Sequence, residues 1–439
     1  MQPLAAFKPT KVALPPDRRP TRELLKYTPQ LSLKERDRRW DRLRKYMRIA
    51  GFDAMVFLGN DLYWGMGMAN IRYMFQVDSN IGADALFPLI GAPVIWNSVQ
   101  HMNRPTSAYL SIQEWVDDFR DRGGPKAIAS EIRKQGLDRS RIGLIGFNGA
   151  IQLTSFLQSD VEMLRSELPQ ANLSDATPIL SYFRLVKSDE EIGMLREAGR
   201  IARKVVDTMI ESSRPGRTEA EVYADMIRTQ IANGADPNVF NLFSSGPVEH
   251  PKHELWHLLH GSEQPVAPTR RPLQLCDLVI SEFHTKYGGY RCHTEFTVYV
   301  GKEPPAQLRR IWDVSVECLE ASKQALTTGR TFKEAWEIVR RPADRAGLDY
   351  VELGFHMMGT ASPEFASMVY PPGYGRPNAN GWGTDDLVLE EGMTFGNNID
   401  LHDSAWKPDV GCMLADFMVV RPNRAECLVN VPTEMACTG

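Results

Sequence analysis

The sequence pattern GRTxxE occurs twice, at 216–221 and at 329–334, and this repeat constrains the fold more than any other feature. Each copy follows a long amphipathic helical pattern and opens another helix through a capping box. In that motif a threonine and the glutamate three residues later bond to each other's backbone amides. Two copies in the same context predict a duplicated helix pair, and therefore a domain with pseudo-two-fold symmetry. A ligand site between the two halves would draw side chains from both.

The 439 residues are enough for two or three domains. Residues 1–31 combine proline and charge without apolar periodicity, which predicts an amino-terminal arm. From 32 to 182, short apolar runs alternate with helical patterns and predict an α/β domain. A capping box at Ser188 and Glu191 then opens the next helix, so we place the second domain at 183–439.

Composition excludes several classes of protein. The net charge of -4 and the absence of a DNA-binding motif argue against a nucleic-acid partner. The longest apolar stretch, 83–96, is interrupted by Pro88 and Pro93 and is shorter than the ~20 residues of a membrane helix. The first residues contain no continuous apolar region of the kind that a secretion signal requires. We therefore expect a cytoplasmic protein that does not bind membranes.

Eight of the nine histidines follow residue 249, which places the chemistry in the second domain. The first cluster, 250–260, contains HExxH as His253, Glu254 and His257. On a helix this spacing sets two imidazoles one turn apart with a carboxylate between them, as in zinc peptidases. The alternative is a polar helix edge that lines a pocket, since His257 and His260 are also three residues apart.

The second cluster, 282–295, is typical of a β-hairpin with its turn at 287–290. Alternation places His293 and Glu295 on one face of the returning strand, while Glu282 comes from the outgoing strand. Such ionisable residues are costly unless they face solvent or a functional cavity, so the alternatives are a solvated edge and an active site. In the third cluster, 354–360, glycines flank His356, where backbone can approach a ligand closely; the alternative is a buried structural histidine.

Several motifs between about 180 and 425 resemble the creatinase, aminopeptidase P and methionine aminopeptidase superfamily. They are RLVKSDEEI at 184–192, FSSG at 243–246, DLVI at 277–280, GY at 289–290, HMMG at 356–359 and LEEGM at 389–393. The resemblance implies a carboxy-terminal pita-bread domain with a pseudo-two-fold axis. Residues 32–180 resemble, more loosely, the ribonuclease-H-like amino-terminal domain of the creatinase and prolidase branch. The fold class expected is mixed α/β (α+β).

The metal-dependent members of this superfamily hold two ions with two aspartates, one histidine and two glutamates. The aligned positions here carry Glu282, His293, His356, Asn398 and Ala415. Only the histidine is unchanged, and alanine offers no ligand atom, so the resemblance predicts that no two-ion centre forms. We expect no metal cofactor; the alternative is one divalent ion.

The single-ion alternative would use Glu282, His293 and His356, with Asp416 as a further ligand.

Two further matches resemble creatinase itself: Glu295 on the Gly-Tyr strand and the run HMMGTAS at 356–362. They imply a metal-independent hydrolase that cleaves a carbon–nitrogen bond in a small polar or cationic substrate. His260 or His257 would be the general acid/base, and His356 would polarise the scissile group. Glu295 would act with the substrate-binding residues Glu282, His293 and Asn398.

The alternatives are a lyase acting by elimination or retro-aldol cleavage, a metal-dependent Xaa-Pro peptidase, and a binding protein without activity. The resemblance also implies a homodimer in which one amino-terminal domain approaches the other subunit's site. Four residues would then line a pocket in trans, or else be plain surface residues: Tyr63, Trp64, Arg72 and Tyr73.

Overall fold

The structure is a computed structural model that describes most of the chain. The residues described are 22–60, 66–77, 82–97, 112–120, 123–146, 157–237, 240–252, 255, 260–261, 268–362, 364, 367–368 and 385–439. Within these ranges, no helix is both long enough and apolar enough to cross a bilayer. Most of the predicted arm lies outside them, but residues 23–27 form a short 3-10 helix and Leu31 is buried.

The amino-terminal part is a sheet covered on both faces. Its strands run in the order β4-β3-β2-β1-β5-β6. They are β1 (Ala54–Gly59), β2 (Ala83–Pro88), β3 (Val94–Asn97), β4 (Asp118–Arg120), β5 (Arg141–Ile145) and β6 (Asn172–Asp175). All six residues of β1 are buried: Met55 and Phe57 pack into the main core, while Val56 and Leu58 pack into a second cluster on the opposite face. Continuous apolar runs of this kind are typical of a strand that is buried on both sides.

Among the described residues of this part are five α-helices, and α1 shows why they form. Helix α1 (Leu33–Ala50) begins after Ser32, whose side chain accepts the backbone N–H of Glu35, and ends at Gly51, whose φ is 72°. A left-handed residue at this position suits glycine, which has no Cβ to clash. The others are α2 (Ala69–Phe75), α3 (Pro125–Lys134), α4 (Gln158–Glu167) and α5 (Thr177–Arg184).

The carboxy-terminal part repeats one arrangement, a helix pair followed by a sheet. The pairs are α6 (Asp189–Ser212) with α7 (Glu219–Ala232), and α8 (Ala306–Ala325) with α9 (Phe332–Ala346). Both GRTxxE copies are capping boxes: Thr218 opens α7 with Glu221, and Thr331 opens α9 with Glu334. The duplicated helix pair predicted from the repeat is therefore confirmed.

Each helix pair leads into its own sheet. The first has the order β17-β10-β9-β7-β8, and the second the order β12-β11-β13-β15-β16, with β14 beside β13. The first contains β7 (Asn241–Pro247), β8 (His260–Gly261), β9 (Asp277–Tyr287), β10 (Tyr290–Val300) and β17 (Ala436–Cys437). The second contains β11 (Asp349–Met357), β12 (Ser367–Met368), β13 (Thr394–Asp403), β14 (Lys407–Met413), β15 (Phe417–Val419) and β16 (Glu426–Cys427).

A buried arginine joins the amino-terminal part to the β9–β10 hairpin. Arg39 of α1 is 0% exposed; it donates to Glu35 Oε1 at 2.7 Å and to the hydroxyl of Tyr290 at 3.0 Å. That hydroxyl donates in turn to Glu191 Oε1 at 3.1 Å, at the start of α6. The network therefore fixes the base of β10 against both α1 and α6.

Arg72 and Tyr73 also belong to this junction, and their positions correct a prediction. Arg72 donates to the carbonyl of Gly288 in the hairpin turn, and the Tyr73 hydroxyl donates to the carbonyl of Phe183 at 3.3 Å. Both side chains are buried inside their own chain. The prediction that they line a pocket for a second subunit is therefore wrong, because their contacts are used within the chain.

The other two residues of that prediction, Tyr63 and Trp64, lie outside the described residues.

We predict that Arg39→Met lowers the free energy of unfolding by about 3 kcal/mol, because the buried carboxylates of Glu35 and Glu191 lose one of the two guanidinium groups that compensate their charge. Urea titration followed by tryptophan fluorescence would measure it. Arg48→Met, an exposed site on the same helix, is the matched control and should change stability by less than about 0.5 kcal/mol. Equal effects of the two substitutions would contradict the role given to Arg39.

Candidate active site

The first half of the site is built by the register of the β9–β10 hairpin. Glu282 pairs with Glu295, and His284 pairs with His293. Side chains of directly opposed residues on antiparallel strands share one face. Two carboxyl groups and two imidazoles therefore project to the same side of the sheet. His284, His293 and Glu295 are at most 1% exposed.

The second half comes from β11 and β13. Gly354 pairs with Asn398 and His356 pairs with Gly396. Alternation along the same strands adds Glu352 and Asp400 to this face. The second sheet therefore supplies two carboxyl groups, one imidazole and one amide.

The two halves meet at very short range around His293. A side chain at Gly396 would bring its Cβ within 2.8 Å of His293 Cβ, so only glycine fits beneath this ring. The rings of His293 and His356 lie edge to face, with centroids 4.8 Å apart. The backbone N–H of Ala415 donates to the carbonyl of Glu295 at 3.1 Å. The site thus draws on both halves, as the internal repeat predicts.

Asn398 connects the carboxyl groups. Its Nδ2 donates to Glu295 Oε1 at 2.8 Å and to Glu352 Oε2 at 2.9 Å. Burial, together with the charges of Glu295 and Glu352, raises the pKa of both Glu282 and Asp400 well above the usual range. Burial thus favours the neutral, protonated form of both groups.

The three imidazoles are also uncharged. Burial lowers the pKa of His293 to about 3, and it holds the pKa values of His284 and His356 well below 6.5. A neutral imidazole keeps one ring nitrogen that can accept a proton or bind a metal ion. His284 is held from two sides: its ring stacks on Phe240 at 3.9 Å, and its Nε2 lies 3.4 Å from Ser362 Oγ.

The residues present do not fit the two-ion centre of the resembling superfamily. Ala415 carries no ligand atom, and the Asn398 amide nitrogen faces two carboxyl groups as a hydrogen-bond donor. A bridging glutamate offers two oxygens and a negative charge to the two ions, whereas Asn398 offers one neutral amide oxygen. The absence of a two-ion centre stays a prediction, and these two positions are the residues on which it depends.

Asp416, predicted as a further ligand of a single ion, points away from the cluster. Its carboxylate accepts backbone N–H groups of Phe417, Val429 and Val431 at 2.7, 3.0 and 3.2 Å. These bonds anchor the carboxy-terminal loop and occupy both oxygens. The prediction of Asp416 as a ligand is therefore wrong.

The structure brings Glu282, His293, Glu295, His356 and Asn398 together as predicted. The side chains of the predicted acid/base histidines, His257 and His260, are not among those that the structure describes. His253, Glu254 and His257 lie outside the described residues, and His260 is described only by its backbone, which pairs with Phe243 of β7.

Three members of the cluster were missed: His284, Glu352 and Asp400. The two-residue turn at 288–289 already fixes His284 opposite His293, so this residue was accessible from the sequence. Glu352 and Asp400 could not be predicted from the sequence, because it does not show that β11 pairs with β13.

The chain matches two family models, one for each part. Residues 39–186 match the creatinase/prolidase N-terminal domain, and residues 193–422 match metallopeptidase family M24. The fold is shared with X-Pro aminopeptidase from Thermotoga maritima, with a TM-score of 0.69 at 15% identity over 91% of this chain and 99% of that one. The predicted fold class is thereby confirmed.

The proteins related to this chain by sequence are named for several different activities. A probable dipeptidase PepE of Mycobacterium tuberculosis is 27% identical over 264 residues, which cover 59% of this chain and 62% of that protein. Ectoine hydrolase of Halomonas elongata is 24% identical over 281 residues, which cover 62% of this chain and 65% of the enzyme. The alignments thus span less than two thirds of either relative. From the family matches, the chain belongs to metallopeptidase family M24, within the creatinase, aminopeptidase P and prolidase superfamily.

Proposed function

We propose that the chain is a hydrolase that cleaves a carbon–nitrogen bond in a small polar or cationic compound and works without a two-ion centre. The observation that carries this proposal is the position of Asn398, whose amide links Glu295 to Glu352 where the superfamily has a metal-bridging glutamate. That the reaction needs no metal ion at all is a further prediction, which does not follow from the absence of a two-ion centre.

The charge distribution supports a cationic or hydrogen-bond-donating substrate. Four carboxyl groups lie in one cluster, and burial makes the ionised forms of Glu282 and Asp400 costly. A bound guanidinium, amidinium or ammonium group would favour the ionised carboxylates and be held by them. A substrate without such a group would gain much less from this site.

The side chains present can supply the proton transfers of a hydrolysis. In the proposed reaction Glu295 and Glu282 bind the positive group or orient water, and His356 hydrogen-bonds the scissile group as its bond is cleaved. The general acid/base remains assigned to His257 or His260, as the sequence predicts. The acid/base histidine takes a proton from water, and the water oxygen forms a bond to the carbon. The carbon–nitrogen bond then breaks, and the histidine returns the proton to the leaving nitrogen.

A second candidate is Xaa-Pro peptidase activity, which the similarity to dipeptidases favours. Against it stand Asn398 and Ala415, which replace two ligands of the metal centre of such peptidases. A lyase reaction on the same scaffold stays a prediction. The homodimer also stays a prediction. Light scattering on the purified protein would measure the oligomeric state directly.

Glu295→Gln is the first activity test, applied to a substrate found in a panel of amidines, guanidino acids, N-acyl diamino acids and Xaa-Pro dipeptides. We expect turnover of a cationic compound, and a loss of at least about 100-fold in kcat/KM on substitution. Amine release measured by mass spectrometry gives both quantities. The control is Thr294→Val, which changes the opposite face of the same strand and should alter kcat/KM by less than about threefold. Turnover of Xaa-Pro dipeptides alone would contradict the proposal.

Asn398→Asp tests the amide link itself. The new carboxylate cannot donate to Glu295 and Glu352, so the free energy of unfolding at neutral pH should fall by about 2–3 kcal/mol. The control is Asn241→Asp, a buried site whose Oδ1 accepts from Gln230 at 3.0 Å and keeps that bond in the variant. Urea titration of both variants should show the larger loss at Asn398. Unchanged stability there would mean that the position accommodates a carboxylate, as a metal-bridging site does.

A further inference from the structure

We infer that Glu282, His284 and His293 form a binding site for one divalent transition-metal ion on the β9–β10 hairpin. A metal ion here would differ from the metal-free site that the sequence predicts. The ligand set is also new, because it includes His284. It rests on the proposed function only in taking the two-ion centre to be absent.

The geometry of the three side chains suits a single ion. Each offers one ligand atom, and these atoms lie within 4.8 Å of one another. Ligand atoms lie about 2.0–2.2 Å from a zinc-type ion, so two of them are separated by at most about twice that distance. His293 Nδ1 and Glu282 Oε1, which are 3.5 Å apart, already fall in this range. Small rotations of the side chains would bring the third ligand into reach.

The chemistry of the set favours a transition metal over calcium or magnesium. Two imidazoles and one carboxylate suit zinc, iron, cobalt, nickel or copper, whereas calcium and magnesium prefer oxygen ligands. Both imidazoles are almost completely buried, and a histidine binds metal through a neutral ring nitrogen. In the part of the chain that the structure describes, the ring nitrogens of His293 make no hydrogen bond. A buried polar group without a partner is costly, and an ion would supply one.

The surroundings also resemble those of a metal site. A ligating histidine usually directs its second ring nitrogen to a carboxylate, carbonyl or hydroxyl, which fixes the ring. With Nδ1 of His293 towards Glu282, its Nε2 lies 3.3 Å from Glu295 Oε1. With Nδ1 of His284 as its ligand atom, its Nε2 lies 3.4 Å from Ser362 Oγ. Both rings thus have an orienting group on the side away from the inferred ion.

The inferred site differs from the arrangement that the superfamily resemblance suggests, and this difference makes it testable. In that arrangement His356 is a ligand and residue 284 is not. Here His356 lies outside the group that can converge on one ion, and His284 takes part. Removing His284 should therefore lower the metal content, whereas removing His356 should leave it unchanged.

The experiment compares the wild-type chain with His284→Gln and His356→Gln. Each protein is stripped with a chelator, reloaded with Zn²⁺, desalted and measured by plasma mass spectrometry. We expect one equivalent in the wild type and in His356→Gln, and at least tenfold weaker binding in His284→Gln. Loading with Co²⁺ should give a visible absorption band that disappears only in His284→Gln. These measurements need no substrate, so their failure leaves the hydrolase proposal standing.

A third variant keeps the inference falsifiable if His284→Gln does not fold. Ser362→Ala removes the hydroxyl beside His284 but no ligand, and should weaken Zn²⁺ binding about tenfold. Near-ultraviolet circular dichroism of the stripped proteins establishes their folding. Two equivalents in the wild type would overturn the inference. So would loss of metal only in His356→Gln, full binding in both His284→Gln and Ser362→Ala, or a wild-type protein that binds no Zn²⁺.

Discussion

The close contact between the two halves of the carboxy-terminal part is the constraint on which the site depends. The Ala415 N–H bonds to the Glu295 carbonyl, and Gly396 leaves room for the ring of His293. A larger residue at 396 would separate the sheets and move the side chains of β9 and β10 away from those of β11 and β13. Because backbone pairing fixes β9 beside β10 and β11 beside β13, eight polar side chains are held together in one cluster.

Such a concentration of ionisable groups is costly, and the structure shows how the cost is limited. Burial favours neutral imidazoles and protonated carboxyl groups, and Asn398 supplies donors to two carboxyl groups at once. The same features define what the site can do. A cation bound at this cluster, whether a substrate group or a metal ion, would meet carboxyl groups that can release protons and imidazoles that have lone pairs available.

The sequence predicted the large features because each has a local signal. The two capping boxes at Thr218 and Thr331 identify the repeat, and alternation along β10 identifies His293 and Glu295. The missed residues depend on pairing between distant strands: Glu352 and Asp400 join the site only because β11 lies beside β13. Arg72 and Tyr73 were wrongly assigned for a related reason, since nothing local shows that they pack against residues more than a hundred positions away.

We propose that the amide of Asn398 replaces a metal bridge, so that the superfamily's two-ion centre does not form. Anomalous diffraction from crystals grown with Mn²⁺ or Zn²⁺, recorded at the absorption edge of the metal, tests this most directly. We expect no pair of peaks beside Asn398, and any single peak should lie within the hairpin of Glu282, His284 and His293. Two peaks about 3.5–4 Å apart between His356 and Asn398 would contradict it.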